Sequence, residues 1–469
     1  MQKNNANTGN GSTVDSRISS DQNEICPPAA PKPTLRLIDA IVLITGIVIG
    51  AGIFRTPSVV AANTPDGFWF LSVWVLGGLV SLAGALCYSE LSSAFPSAGG
   101  DYHFLRMAFG NGFSFLFAWA RIAVIQTGSI AILAYIAGDY MSKLLSFGEH
   151  SASFYAVLVV VLLTLVNRLG IQFGTGLQKL LSALQFTGIL IITVVGFFVE
   201  PDISSTASPG IESSPSFQSF SLALIFVLLT FGGWNEAAYV SSELKAGSRK
   251  MVFVLVAGIL IITAVYLLIN MAFLNVLGLP GMAASDAVGV DMMRVTLGKK
   301  GVVLIGLLVI FSALTSLNTT IFTGARSNYA LGKDFSLFAT LGKWNERKSA
   351  PLNSLLIQGV IAVLLIIFGA FSRSGFESMV DFTAPVFWFF FLCMGIGLIV
   401  LRVKMPDVPR PFKVPLFPVT PLLFVVFCGY LLYSSLSYTG KGALLGAALL
   451  IIGLIFYLLF KNKIVARKD

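Results

Sequence analysis

The chain has 469 residues, 56% of them hydrophobic and only 11% charged, with a formal net charge of +9. Globular proteins carry about 25% charged residues, so this composition excludes a string of soluble domains joined by polar linkers. Apolar runs of about eighteen residues or more recur along it, each long enough to cross a hydrocarbon core of about 30 Å. An all-α polytopic membrane protein is expected.

Residues 1–34 are polar and close on Pro-Pro-Ala-Ala-Pro-Lys-Pro. Such a segment cannot bury enough apolar surface to fold, and it lacks the apolar core of a cleavable signal peptide. A disordered tail is expected there. Twelve spans follow, at 37–62, 68–92, 113–141, 153–169, 177–199, 218–242, 251–277, 301–325, 352–371, 380–401, 418–437 and 442–460, with a short tail at 461–469. Of the four cysteines, Cys26 lies in the first tail and Cys87, Cys393 and Cys428 lie inside apolar runs. No external disulfide framework is expected.

With the N-terminus set in the cytoplasm, 23 of the 31 Lys and Arg fall on that side, six fall outside, and Arg55 and Arg121 lie within spans. This bias places both termini in the cytoplasm, which an even number of spans also requires. It accounts for the positive charge without a nucleic-acid partner.

Span 1 contains Gly46-Ile-Val-Ile-Gly-Ala-Gly-Ile-Phe54. Each glycine costs a helix about 1 kcal/mol against alanine, and lipid cannot satisfy peptide groups that an opened turn sets free. Such a run is either a seam for close helix packing or a break whose backbone lines a cavity. Five spans later, Leu228-Leu-Thr-Phe-Gly-Gly-Trp-Asn-Glu236 again sets adjacent glycines in mid-membrane. Two broken helices in corresponding positions point to a midplane binding site. Because five is odd, the second half returns upside down, which predicts an inverted repeat of spans 1–5 and 6–10 with spans 11 and 12 outside it.

At these residues the chain resembles the amino acid–polyamine–organocation transporters, and within them the L-type amino acid transporter branch. The first-span run, Tyr88-Ser-Glu-Leu, Phe95-Pro-Ser-Ala-Gly-Gly-Asp-Tyr-His-Phe-Leu, Phe231-Gly-Gly-Trp-Asn, Glu243, Pro351-Leu-Asn and Arg410-Pro-Phe-Lys-Val-Pro carry the resemblance in this order. It implies a five-plus-five inverted repeat with discontinuous helices 1 and 6, a transporter core at 35–402 (repeats 37–199 and 218–401) and two added helices at 403–460. It also implies alternating access with a substrate held between spans 1 and 6. The amides of Gly50, Ala51 and Gly52, flanked by Ile49 and Ile53, would hold a carboxylate. Carbonyls near Leu229, Phe231 and Gly232, with Gly233 and Asn235 beside them, would hold an ammonium. The physics agrees, since a half-helix N-terminus suits an anion and exposed carbonyls suit a cation. An α-amino acid meets both demands.

The sequence departs from the branch at three positions. Ala51 stands where serine is frequent, Leu229 where a gating phenylalanine is frequent, and Gln185 where many members have a lysine that tethers the first-span bend. Glutamine supplies no charge and exchanges no proton, so coupling does not carry over from that lysine. The loop 142–153 has no cysteine, so no disulfide-linked accessory subunit is expected.

Glu236 reads as a proton-coupling acid, as a counter-charge for a cationic side chain, or as the structural partner of an arginine. Arg121 reads as a structural partner for a carboxylate, and Arg55 as a snorkelling cation or one facing an outer vestibule. Phe231 and Trp234 shape a side-chain pocket or simply pack. Asn318 and Thr319 either coordinate an ion or substrate or bond helix to helix. His103 and His150 have no ligand-like neighbours, so neither metal nor cofactor is expected, and the glycine runs follow no strand that a nucleotide site would need. No catalytic constellation is visible, so an enzyme is not expected. The reading is a secondary transporter of α-amino acids with neutral side chains in a cell membrane, working by exchange or by proton coupling. The alternatives are a carrier of cationic amino acids or amines, and an amino acid sensor that does not transport.

Overall fold

In hydrocarbon each peptide group must find its partner within its own segment, and the apolar runs accordingly become helices. The computed structural model of the chain describes residues 33, 35–54, 56–198, 216–245, 247–285, 287–370, 375–439 and 441–464. Arg55, Cys26 and most of both tails lie outside the described residues. Among those described, ten helices are long and apolar enough to cross a membrane. They are spans 2 to 11: Gly67–Ala94, Asn111–Leu144, Ser151–Leu169, Ile171–Phe198, Ser219–Glu243, Met251–Ala283, Val288–Asp334, Leu352–Ala370, Thr383–Lys404 and Val419–Ser437. Spans 1 and 12 are represented by shorter apolar helices, Leu37–Val48 and Gly446–Phe460.

The helices run past the expected ends in several places. Span 5 begins at Ile171, six residues early, because Gly170 (φ 139°) makes the turn alone. Span 7 continues to Ala283 through a kink at Gly278, and the helix of span 8 covers Val288–Asp334 with a kink at Gly298. Hydropathy alone misses these extensions because the added turns of spans 5 and 8 are polar and that of span 7 carries glycine and proline. The segment between spans 2 and 3 forms a helix, Asp101–Phe109, called here the connecting helix. Span 3 is not a regular helix: Arg121–Ile125 forms a π-turn, a distortion frequent at functional sites, and Thr127 Oγ1 donates to the Ile122 carbonyl at 2.7 Å.

Outward faces carry exposed Leu, Ile, Val and Phe, such as Leu162 and Phe173, as lipid demands. Inward faces hold ion pairs that lock spans together. Glu90 on span 2 accepts from Arg402 of span 10 and from the Val414 amide, and pairs with Arg410. Span 1 leans on span 5 through Lys179 and Asp39 at 2.7 Å. Its first residue, Leu35, exchanges backbone hydrogen bonds with Glu243 and Lys245, at 2.9 Å each. That bridge sets the start of span 1 beside the end of span 6, so the two interrupted helices run in opposite directions.

Candidate functional site

Both predicted breaks are present. In span 1 the α-helix stops at Val48, Ile49 leaves helical geometry (ψ 70°), and a 3₁₀ turn, Ala51–Phe54, precedes a second helix, Thr56–Ala62. In span 6 the α-helix Phe217–Thr230 ends at Phe231, Gly233 takes the left-handed conformation (φ 107°), and Trp234–Glu243 continues as a 3₁₀ helix. Only glycine adopts that conformation at Gly233 without strain.

The breaks face each other. Thr56 Oγ1 lies 2.7 Å from Thr230 Oγ1. A Cβ placed on Gly52 would meet Thr230 at 3.4 Å, and one placed on Gly233 would meet Ile47 at 3.3 Å. Tyr266 of span 7 joins them: its hydroxyl lies 2.7 Å from the Val48 carbonyl and 3.0 Å from the Thr230 carbonyl. Ser316 of span 8 donates to the Gly46 and Ile47 carbonyls at 3.2 and 2.9 Å. The carbonyl ends of the two half-helices are thus capped by side chains from neighbouring spans. Neither Tyr266 nor Ser316 stood out in the sequence; the available signal was a hydroxyl inside an otherwise apolar turn.

What stays reachable is backbone. Gly50, Ala51 and Gly52 are partly exposed, as are Gly232 and Gly233, while Ile49, Ile53 and Phe231 are buried. The Gly50 amide donates to the Val48 carbonyl at 2.7 Å, so the amides of Ala51 and Gly52, which open the 3₁₀ turn, are the ones the helical pattern leaves without acceptors. At the second break the Leu229 carbonyl accepts from the Gly232 amide at 3.1 Å. The carbonyls of Phe231 and Gly232 take none of the described hydrogen bonds.

Several side chains named from the sequence point elsewhere. Phe231 packs edge-on against Tyr266, with ring centroids 4.9 Å apart, and tilts against Trp74. Trp234 stacks among Tyr88, Phe391 and Phe424. Asn235 is buried and directs its Nδ2 at Asp101 of the connecting helix, 3.5 Å away. Leu229 keeps 42% of its surface exposed. Glu236 takes both its hydrogen bonds from Nη2 of Arg121, at 2.8 and 2.7 Å, and Arg121 lies 4.0 Å over the Tyr239 ring. Gln185 is fully buried, with neither amide atom hydrogen-bonded among the described residues. The side chains against the first-span bend are instead Gln178 and Ser182, two turns and one turn earlier, with Thr315: a Cβ on Gly46 would overlap all three, at 2.6 to 2.8 Å. Gly46 is therefore a packing glycine, whereas Gly50 and Gly52 belong to the break. Asn318 bonds Asn167 and Gln178, tying spans 4, 5 and 8. No three His, Cys, Asp or Glu converge on a metal site among the described residues.

Two opposed half-helix ends with reachable peptide groups, enclosed by apolar spans, define a membrane transporter with discontinuous helices. The chain belongs to the amino acid permease family, whose sequence model matches residues 35–460. It is 30% identical over 442 residues to the mouse b(0,+)-type amino acid transporter 1, covering 90% of this chain and 87% of that one. The human protein of that name is 28% identical over 437 residues, covering 91% and 87%. The mouse large neutral amino acids transporter small subunit 2 is 28% identical over 443 residues, covering 92% and 81%. The chain is an amino acid transporter of the amino acid–polyamine–organocation superfamily, on its L-type side, and not an enzyme.

Proposed function

We propose that the chain carries α-amino acids with neutral side chains across the cell membrane by alternating access, exchanging one amino acid for another. The substrate carboxylate lies on the Ala51 and Gly52 amides, with Gly50 shaping the turn, and the ammonium on the Gly232 carbonyl, with the buried Phe231 behind it. The observation that carries this reading is that the small residues Gly50, Ala51, Gly52, Gly232 and Gly233 stay partly exposed where the two helices break. Their peptide groups read the zwitterion common to all amino acids. Neutral side chains follow from Glu236. It adjoins the second break, and Arg121 already neutralises it, so its charge does not wait for a cationic side chain. The relative named for large neutral amino acids supports the same choice.

Exchange is favoured over proton coupling because Gln185 cannot ionise and Glu236 is held by an arginine. The 23-to-6 distribution of Lys and Arg supports cytoplasmic termini. Residues 35–402 form the repeat-based core and 403–460 an added helix pair. Cys87, Cys393 and Cys428 are free and lie within spans, and the 142–153 loop has no cysteine, so that loop offers no anchor for a disulfide-tethered subunit. The test is uptake of a panel of labelled amino acids into proteoliposomes, with and without unlabelled amino acid inside. Neutral amino acids entering only preloaded vesicles is the expected result. Uptake confined to lysine or arginine, or binding without any flux, would overturn the reading.

A further inference from the structure

One buried carboxyl group in the bundle has no cation of its own. Asp101 is the first residue of the connecting helix, 3% exposed. It faces the 3₁₀ half of span 6 (Asn235, Glu236, Tyr239), Tyr88 of span 2 and Arg121 of span 3. The charges there do not balance. Arg121 is the single cation, and Glu236 occupies its Nη2. Asp101 is left with one long bond, from Asn235 Nδ2 at 3.5 Å, and its Oδ1 has none. Around it Asn235 Oδ1, Arg121 Nε and the Tyr88 and Tyr239 hydroxyls also lack partners of normal geometry among the described residues. The remaining charged groups of the connecting helix lie along its length. Arg106 pairs with Asp334 of span 8, to which the Tyr102 hydroxyl also donates, and Lys404 of span 10 donates to the Ala108 carbonyl; His103 is a further titratable group of this helix.

An ionised carboxylate buried so without a cation of its own is costly, and the neutral acid adds a hydroxyl donor beside the unpartnered Asn235 Oδ1. We propose that Asp101 is a proton-binding residue of the cytoplasmic gate. It holds a proton while the connecting helix is packed on span 6, and gives that proton to water when the two separate. The contact it would control is close: a Cβ on Gly100 would fall 2.7 Å from the Tyr239 ring, and Ser241 Oγ bonds the Ser97 backbone at 3.3 Å. Burial pushes the Asp101 carboxyl up to about 7, with Arg121 pulling it down and Glu236 pushing it up. Hydrated in an opened gate, the group returns towards the ordinary carboxylate value near 4. The closed form is therefore favoured fully at acid pH and loses that advantage as pH rises towards 7. Opening gains about tenfold per pH unit between about 5 and 7, and no more above. Acidification of the cytoplasm shuts the gate. The cytoplasmic placement rests on the orientation proposed above; the proton site itself does not.

The experiment measures gate opening without substrate. In a protein whose four native cysteines are replaced, Ser241→Cys is labelled with a maleimide from pH 5 to 8, with Asp101 intact and with Asp101→Asn. The ratio of the two rates cancels the thiol's own ionisation. The expected ratio climbs about tenfold per pH unit from pH 5 and flattens near 7. Asp101→Glu, which keeps the acid, restores the climb. A flat ratio overturns the proposal, as does a climb that Asp101→Glu fails to restore. Since no amino acid is present, a climbing ratio beside a failed uptake panel would sink the transport reading alone.

Discussion

Arg121 and Glu236, 115 positions apart in the chain, meet through a single nitrogen: Nη2 of the arginine lies 2.8 and 2.7 Å from the two carboxylate oxygens. Arg121 opens the π-turn Arg121–Ile125 of span 3 and is buried there. Removing one member of a buried pair strands the other charge, at about 3–5 kcal/mol, while removing both is nearly neutral. Glu236→Gln should therefore lower thermal stability strongly, and Arg121→Met with Glu236→Met should recover most of it. Unfolding of the purified variants in detergent checks this. Equal losses in the single and double variants would show that the pair does not hold spans 3 and 6 together.

Tyr266 spends one hydroxyl on the carbonyl ends of both half-helices. Phenylalanine in its place keeps the ring that packs on Phe231 and Trp74 but takes the hydroxyl from the Thr230 carbonyl and from the Val48 carbonyl, which keeps only the Gly50 amide. A lost partner of this kind costs about 1–3 kcal/mol. Tyr266→Phe should weaken amino acid binding by roughly tenfold or more, because the breaks lose their fixed geometry, with a smaller fall in stability. Equilibrium binding of a labelled neutral amino acid, set beside unfolding of the same preparation, separates the two effects. Unchanged binding would mean that the breaks hold their shape without the clamp.

The glycines of span 1 divide by what surrounds them. Gly46→Ala must push aside Gln178, Ser182 and Thr315, and overpacking of this order costs about 1–3 kcal/mol. Gly52→Ala meets only Thr230 at ordinary contact distance. It should fold with stability within about 1 kcal/mol of the parent yet bind poorly, because its methyl group crowds the amide that faces the carboxylate. Gly52→Val carries the same effect further. Stability curves and binding isotherms for the three variants test this, and normal uptake by Gly52→Val would remove the carboxylate from this turn.

The breaks were legible because glycine in a membrane helix is expensive and its position survives translation into structure. The ten helices long enough to cross a membrane were legible too, since hydropathy integrates over many residues. What stayed hidden depended on rotation about helix axes. Nothing in the local sequence tells that Phe231 turns towards Tyr266, or that Asn235 turns from the substrate gap to Asp101. Nor could sequence show that Gln178 and Ser182, not Gln185, touch the bend at Gly46. A shift of one helical turn decides each case, and periodicity cannot resolve it where all faces of a helix are apolar. Arg121 meets Glu236 from a π-turn, which has no residue signature in this chain. Asp101 sat in plain view inside a recognised motif, but its burial depends on a connecting helix that hydropathy passes over.

That helix is flanked by two glycines that separate backbone strain from crowding. Gly100 and Gly110 both have positive φ, at 47° and 90°, and a side chain at either position costs about 1–3 kcal/mol in backbone strain. They differ in surroundings: a Cβ at Gly110 meets nothing within 4 Å, whereas one at Gly100 strikes the Tyr239 ring. Gly110→Ala should lose only the strain. Gly100→Ala should lose that and the added cost of moving Tyr239, again about 1–3 kcal/mol. Because Tyr239 carries Arg121 on its face, displacing the ring also loosens the contact between the connecting helix and span 6. Gly100→Ala should then label faster than Gly110→Ala at a cysteine placed at Ser241, at every pH, even where the two are matched in overall stability by a lower temperature. Equal labelling rates under matched stability would show that the Tyr239 ring does not hold this end of the bundle shut.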